Sequence, residues 1–382
     1  MYLDLLSTFH SVSPVKGLTH RFYRYPARFA PQIVREILRL FTKPGDWVCD
    51  PFMGGGTAVV EATTGGRRIL GIDINSLAVF VTQTKTTPLS PSDKRAISKW
   101  TDSFQRDLDQ RNARVVDLND DVIAPHVAAF LGAGMHRLHQ LRFPRQQRFV
   151  RCALLRTGQW ASERGTSWPS LEEVRFFFGS RIYEMFDELD QWVEVCRKAG
   201  IPKNQLTSYR MLMNRSCIGI EQEPEMRLLH RRVKLVITSP PYPGVHIVYH
   251  RWQVRGRRET ASLYEVAGLN DGHTEAYYTL GSRTPTGLQR YFSSIRAAFS
   301  GLRRLLHPQA VVAQLIAFSD AEIQHPLYLQ AMEEAGYEAL ELPGVQISPL
   351  QRMVPSRRWY AALAGRCDAS RELLLLHRPR RD

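Results

Sequence analysis

Cysteine is scarce: five in 382 residues (Cys49, Cys152, Cys196, Cys217 and Cys367), with no Cys-x-x-Cys spacing among them. That pattern argues against a structural zinc site and against a disulfide framework, and it suits a reducing cytoplasm. No apolar run approaches the roughly 18–20 residues needed to span a bilayer. Met1 to Val15 contains Asp4 and no basic residue, so it does not read as a signal peptide. The Gly-x-x-x-x-Gly-Lys-Ser/Thr pattern of a triphosphate-binding loop is missing as well. There are eight lysines against 43 arginines, and too few acids to balance them, which leaves a net charge of +14 and a pI near 9.8. An arginine excess of this size favours a polyanionic partner, because guanidinium forks fit phosphates and guanine edges.

What is present reads as α/β. The length suits two domains, or one α/β domain with insertions. The segment Arg21-Phe22-Tyr23-Arg24-Tyr25-Pro26-Ala27-Arg28-Phe29-Ala30-Pro31 leads into a helix. Pro31 suits its first turn, and Ile33, Val34, Ile37, Leu38 and Phe41 give it a 3.6-residue period. Next comes Trp47 to Asp50 as a strand, then Pro51-Phe52-Met53-Gly54-Gly55-Gly56-Thr57 as a glycine-rich loop, then a helix. Glycines let a ligand approach the backbone, and a helix N-terminus offers unpaired N–H groups. A second strand, from Arg68, ends in Asp73. An acid at that place, roughly 20 residues on, suits ribose hydroxyls and hence an adenosine-type cofactor.

The βα rhythm stops between 91 and 203, which reads as a mainly helical inserted subdomain. Its middle carries Arg137, Arg142, Arg145, Arg148, Arg151, Arg156 and Arg164 among Phe143, Phe149 and Trp160, with Glu163 as the one acid. Solvated faces usually mix signs, so a nucleic-acid surface is the favoured reading. The stretch Glu184 to Asp190 is acidic and is expected to face solvent. Rhythm returns with a strand at Ser208–Met213 and a buried strand at Val233–Thr238, which runs into Ser239-Pro240-Pro241-Tyr242. Two prolines make that exit stiff and extended. A basic, aromatic loop follows, with Arg251, Arg255, Arg257 and Arg258, and no firm element up to Pro285. An amphipathic helix from Leu288, a strand at Ala310–Ala317, a helix from Pro326 and closing strands at Tyr337–Leu342 and Glu372–Leu376 complete the chain. Between the closing strands lies another basic loop, Arg352 to Tyr360, with Arg357.

Three segments together resemble one family: Tyr25-Pro26-Ala27-Arg28-Phe29; Asp50-Pro51-Phe52-x-Gly54-x-Gly56-Thr57 with Asp73; and Thr238-Ser239-Pro240-Pro241-Tyr242. They occur in this order in the amino-group DNA methyltransferases, which modify cytosine N4 or adenine N6. The resemblance covers roughly residues 1–90, 204–250 and 286–382. It implies the S-adenosylmethionine-dependent methyltransferase fold: a seven-stranded, mostly parallel sheet with helices on both faces. The catalytic domain would be split into 1–90 and 204–382 around a 91–203 insert that serves as target-recognition domain. The resemblance further implies that Tyr25 to Phe29, Asp50, Pro51, Phe52, Gly54, Gly56, Thr57, Asp73 and Asn214 bind the cofactor. By the same resemblance, Ser239, Pro240, Pro241 and Tyr242 act on a flipped base in double-stranded DNA. Arg142, Arg145, Arg148, Arg151, Arg156, Arg251, Arg255, Arg257, Arg258 and Arg357 are the expected DNA contacts. Serine at 239 leans to cytosine N4. Adenine-N6 methylation and a catalytically silent nucleic-acid-binding protein of this fold are the alternatives. A restriction-modification setting would add a cognate endonuclease as partner, and an orphan methylase would not. Methylation at carbon 5 of cytosine is not expected, since no Pro-Cys pair is present.

Overall fold

The computed structural model describes residues 3–10, 15, 17–25, 29–109, 122–165, 167–243, 252–254, 258–270, 280, 284–341, 349–354 and 371–380. Pro26, Ala27, Arg28, Arg251, Arg255, Arg257 and Arg357 lie outside the described residues. So do most of the loop that follows Tyr242 and most of the loop after Met353.

The chain opens with α1 (Leu3–His10), α2 (Pro31–Phe41), β1 (Trp47–Asp50), α3 (Thr57–Thr64), β2 (Arg68–Asp73) and α4 (Ser76–Lys85). Four more helices follow: α5 (Pro91–Asp109), α6 (Pro125–His136), α7 (Pro144–Glu163) and α8 (Leu171–Lys198). Then come β3 (Arg210–Asn214), β4 (Val233–Thr238), β5 (Trp252–Val254), β6 (Arg258–Thr260) and α9 (Ser262–Ala267). The chain closes with α10 (Pro285–Arg303), β7 (Leu306–Ala317), α11 (Ala321–Glu334), β8 (Tyr337–Ala339), β9 (Leu350–Met353) and β10 (Arg371–Pro379).

Seven strands form one path in the order β3-β2-β1-β4-β7-β10-β8. The first five are parallel, and β10 runs antiparallel to β7 and β8. This is the mostly parallel α/β sheet of a methyltransferase fold. Strand alternation decides which helices cover which face. Val48, Ile69, Leu235, Ile237, Ala313 and Leu315 pack with α1, α2 and α3. Cys49, Leu70, Val236, Val312 and Ile316 point the other way, toward α10 and α11. Helices α5 to α8 form a third core, which also takes in Phe22, Tyr23 and Tyr25, the apolar side chains of α4, and Trp252 and Tyr264. The insert therefore shares its core with the segment before α2 and with the hairpin region after the proline turn.

The structure corrects the expected elements at four places. Leu350–Met353 is a strand, paired with β10 from Arg371 to Leu374, where the sequence suggests a loop. The stretch without firm elements contains the β5–β6 ladder and α9. The last helix begins at Ala321, capped by the Asp320 carboxylate, and carries Pro326 inside it. Within the acidic stretch of α8, Glu188 is buried and held by Arg21 and Arg181, whereas Glu184, Asp187 and Asp190 are exposed as expected.

Candidate active site

Parallel pairing brings the carboxyl ends of β1, β2, β3 and β4 to one edge of the sheet. The chain leaves β1 toward β2 on one side and reaches β4 on the other, so this edge is a topological switch point, where open α/β sheets bind ligands. Asp50, Asp73, Asn214 and Thr238 are the last residues of those four strands.

The glycine loop is folded onto Tyr25. A Cβ on Gly55 would stand 2.8 Å from the Tyr25 Cβ, and one on Gly56, at φ +73°, would collide with the Thr82 side chain. No larger residue fits either place. The buried Lys85 ammonium donates to the Gly55 carbonyl at 2.6 Å, which fixes the loop from beneath. Asp73 accepts from the Gly54 N–H with one oxygen and from the Asn75 N–H with the other, both at 2.8 Å. The Asn75 amide donates to the Tyr25 hydroxyl at 3.2 Å, and its oxygen caps α4 through Leu77 N–H. The aromatic segment, the loop and the Asp73 turn thus form one unit. Phe29 is buried in the α2 core rather than in this unit. Phe52 is half-buried, and Pro51 and Thr57 are buried. Asn214 donates its amide to the carbonyls of Asp73 and Ile74, at 3.1 and 3.0 Å, tying the ends of β2 and β3 together.

Both acids hold their protons more tightly than an ordinary aspartate. Burial pushes the Asp50 carboxyl up to about 7, with the nearby Asp73 charge adding to it, against bonds from Thr238 and the Phe52 N–H. Burial pushes Asp73 up to about 6, against its two backbone donors. A buried carboxyl and a part-buried one at the same strand edge suit a ligand that carries positive charge and hydroxyl donors.

The proline turn is fixed on every side. Thr238 Oγ1 donates to Asp50 at 2.7 Å. Tyr291 donates to the Pro241 carbonyl at 2.7 Å, and Ser319 to the Pro243 carbonyl at 3.2 Å. Tyr242, buried, donates to Glu372 at 2.9 Å. Among the described residues, the Ser239 hydroxyl and the Pro240 carbonyl have no hydrogen-bond partner, and Ser239 is partly exposed. Sequence alone does not single out Lys85, Asn75, Thr238, Tyr291 or Glu372 for these roles. Glu372, an acid opening the run Leu373 to Leu376, carries the clearest signal of the five.

The arginines of the insert are mostly engaged. Arg145 donates to the buried Asp93 at 2.8 Å, and Arg137 pairs with Asp107. Arg148 reaches Thr87 at 3.5 Å, and Arg156 lies 5.8 Å from the centre of the Phe177 ring. Arg151 packs against Gly268. Burial holds Arg148, Arg151 and Arg156 below the usual guanidinium range. Arg142, over the Phe143 ring, and Arg258 are exposed. No cluster of metal ligands occurs among the described residues, and no helix among them is long and apolar enough to cross a membrane.

Comparison with known proteins agrees with the motifs. Residues 6–83 match the N6_N4_Mtase family model, described as DNA methylase. Type II methyltransferase M.MvaI of Kocuria varians is 43% identical over 101 residues, which are 25% of this chain and 21% of that protein. Type II methyltransferase M.MjaII of Methanocaldococcus jannaschii is 34% identical over 82 residues, 22% of this chain and 15% of that protein. DNA adenine methyltransferase YhdJ of Escherichia coli is 34% identical over 62 residues, 16% of this chain and 21% of that protein. The chain thus spans about a fifth or less of the length of these relatives. Among solved structures, the rRNA methyltransferase aviRa of Streptomyces viridochromogenes aligns over 98% of this chain and 92% of its own, at 9% identity and a TM-score of 0.32. The fold assignment rests on the strand order, not on that likeness. Residues 6–83 are thus similar to the DNA methylases of the N6/N4 family, over a part of the chain that stops short of the proline turn.

Proposed function

We propose that this chain transfers a methyl group from S-adenosylmethionine to an exocyclic base amine in double-stranded DNA, and that the base is cytosine, modified at N4. The observation that carries the reading is the proline turn. Its flanks are locked by Asp50, Tyr291, Ser319 and Glu372, while the Ser239 hydroxyl and the Pro240 carbonyl keep their lone pairs unused among the described residues.

An exocyclic amine is a weak nucleophile because its lone pair is delocalised into the ring. Two acceptors aimed at its hydrogens draw the nitrogen toward tetrahedral geometry and release the lone pair for attack. Ser239 Oγ and the Pro240 carbonyl are such a pair. A rigid turn supplies them without reorganisation at the moment of reaction. S-adenosylmethionine, when bound, supplies an electrophilic methyl group. Asp73 would accept from its ribose hydroxyls, since each carboxylate oxygen has room for more than its one backbone donor. The Asp50–Asp73 pair favours its positive charge. The target base leaves the DNA stack to reach the turn, as in other enzymes that work on bases.

The hydroxyl at Ser239 favours cytosine, because it can accept from the amine and donate toward ring N3. The likeness to YhdJ, an adenine methyltransferase by name, supports adenine N6 as the second reading. The likeness to Type II methyltransferases supports a restriction-modification setting with a cognate endonuclease. Replacing Ser239 with alanine tests the turn. Turnover with labelled S-adenosylmethionine should fall about 100- to 1,000-fold, the scale for losing one such polar group, with cofactor affinity kept. Unchanged turnover would remove Ser239 from the chemistry.

A further inference from the structure

Tyr242 joins the proline turn to β10, on the far side of β7. Its hydroxyl donates to Glu372 Oε1 at 2.9 Å. The other oxygen of Glu372 accepts from Arg352, with Nε at 2.8 Å and Nη2 at 2.5 Å. Arg352 and Glu372 stand directly opposite each other in the β9–β10 pairing. The guanidinium of Arg352 in turn lies 5.4 Å from the centre of the Phe9 ring of α1.

Glu372 is only 3% exposed and precedes four consecutive leucines in its strand. A carboxylate at such a place is costly unless its oxygens are satisfied, and well-packed apolar residues often do as well or better for stability alone. A cross-strand ion pair would also have no need of a third partner from the end of β4. The same carboxylate reaches both the arginine and the phenol, one oxygen to each. That holds the Tyr242 hydroxyl in place, and because a phenolic O–H prefers to lie in the plane of its ring, the direction of the bond to Glu372 biases that plane.

We propose that Glu372 and Arg352 are positioning residues that set the plane of the Tyr242 ring, and with it the face offered to the target base. The inference rests on the methyltransferase reading above. The strand pair β9–β10 would then serve catalysis from a distance: Arg352 orients Glu372, Glu372 orients Tyr242, and Tyr242 aligns the base on Ser239 and Pro240. Misplacing the reacting amine by a fraction of an ångström to an ångström lowers turnover steeply.

The experiment measures steady-state methylation of duplex DNA by the wild-type chain, Tyr242→Phe, Glu372→Gln and the double variant, with calorimetry for S-adenosylmethionine on each. Each single variant should lose roughly ten- to a hundredfold in kcat. KM for DNA and cofactor affinity should stay near wild type, and the double variant should be no slower than the slower single. Arg352→Lys should be faster than Arg352→Met. Should Glu372→Gln fail to bind cofactor through misfolding, Tyr242→Phe carries the same test from the other end of the bond. An active wild type with full kcat in Tyr242→Phe and Glu372→Gln would overturn the positioning role and leave the methyltransferase reading intact. Fully additive losses in the double variant would overturn it too, since the two residues would then act separately. A wild type that methylates no DNA would overturn the methyltransferase reading itself, and the inference with it.

Discussion

Asp73 ends β2 with one oxygen on the Gly54 N–H and the other on the Asn75 N–H, and burial lifts its carboxyl to about 6. Ribose hydroxyls donating to it would favour the carboxylate. Below about pH 6 the unliganded protein holds a proton there that binding must release, so affinity falls as pH falls. Asp50, at about 7, adds in the same direction, because a cationic ligand also favours its ionised form. Calorimetry should therefore find S-adenosylmethionine bound about tenfold more weakly at pH 5 than at pH 7 from the Asp73 proton alone, and more weakly still with the Asp50 proton, each contributing up to about one decade per pH unit below its pKa. Asp73→Asn should bind weakly throughout and show a smaller pH dependence. A flat profile in the native chain would take Asp73 out of the ribose site.

The hairpin after the proline turn is held by the insert. Trp252 is buried, its ring set so close against Gly158 of α7 that even a Cβ there would collide with it, and its N–H donates to the Tyr23 hydroxyl at 3.2 Å. Tyr264 of α9 donates to Asn75 at 3.2 Å. Trp252→Ala should cost about 3–5 kcal/mol, as emptying a large aromatic site usually does. Chemical denaturation measures it, and a loss under about 1 kcal/mol would mean that the hairpin is not anchored there. These elements show why some of the fold is legible in the sequence and some is not. The strand Val233–Thr238 is legible to the residue, because its apolar run and its proline stop are both local. So are the acids at the ends of β1 and β2, which follow from strand and loop signals. Trp252 and Tyr264 are held largely by residues far away in the chain, and nothing in a polar, turn-rich stretch reports that. Strand β9 holds only four residues and includes Arg352, whose partner Glu372 is 20 residues on. Pro326 suggests a helix start, whereas the helix begins at Ala321, behind the Asp320 cap and well before the proline is reached.

Across the whole molecule the charge of +14 is the least local property. The run of arginines between 137 and 164 looks unpaired in the sequence because its acids, Asp93, Asp107 and Glu173, lie outside it. Arg145 is therefore expected to matter to stability as well as to DNA, whereas the exposed Arg142 and Arg258 are the cleaner candidates for phosphate contacts. Replacing both of these with alanine should weaken duplex binding and reduce the slope of log affinity against log salt by about 2, near 0.9 for each phosphate no longer neutralised. An unchanged slope would place those two arginines off the DNA. The proposed methyl transfer is tested most simply by mass spectrometry of nucleosides from unmethylated duplex DNA after incubation with the protein and S-adenosylmethionine. A rise in N4-methylcytosine is the predicted result. A rise in N6-methyladenine would keep the turn's chemistry and contradict the role given to the Ser239 hydroxyl in choosing the base, and the absence of any methylated base would contradict the proposed activity.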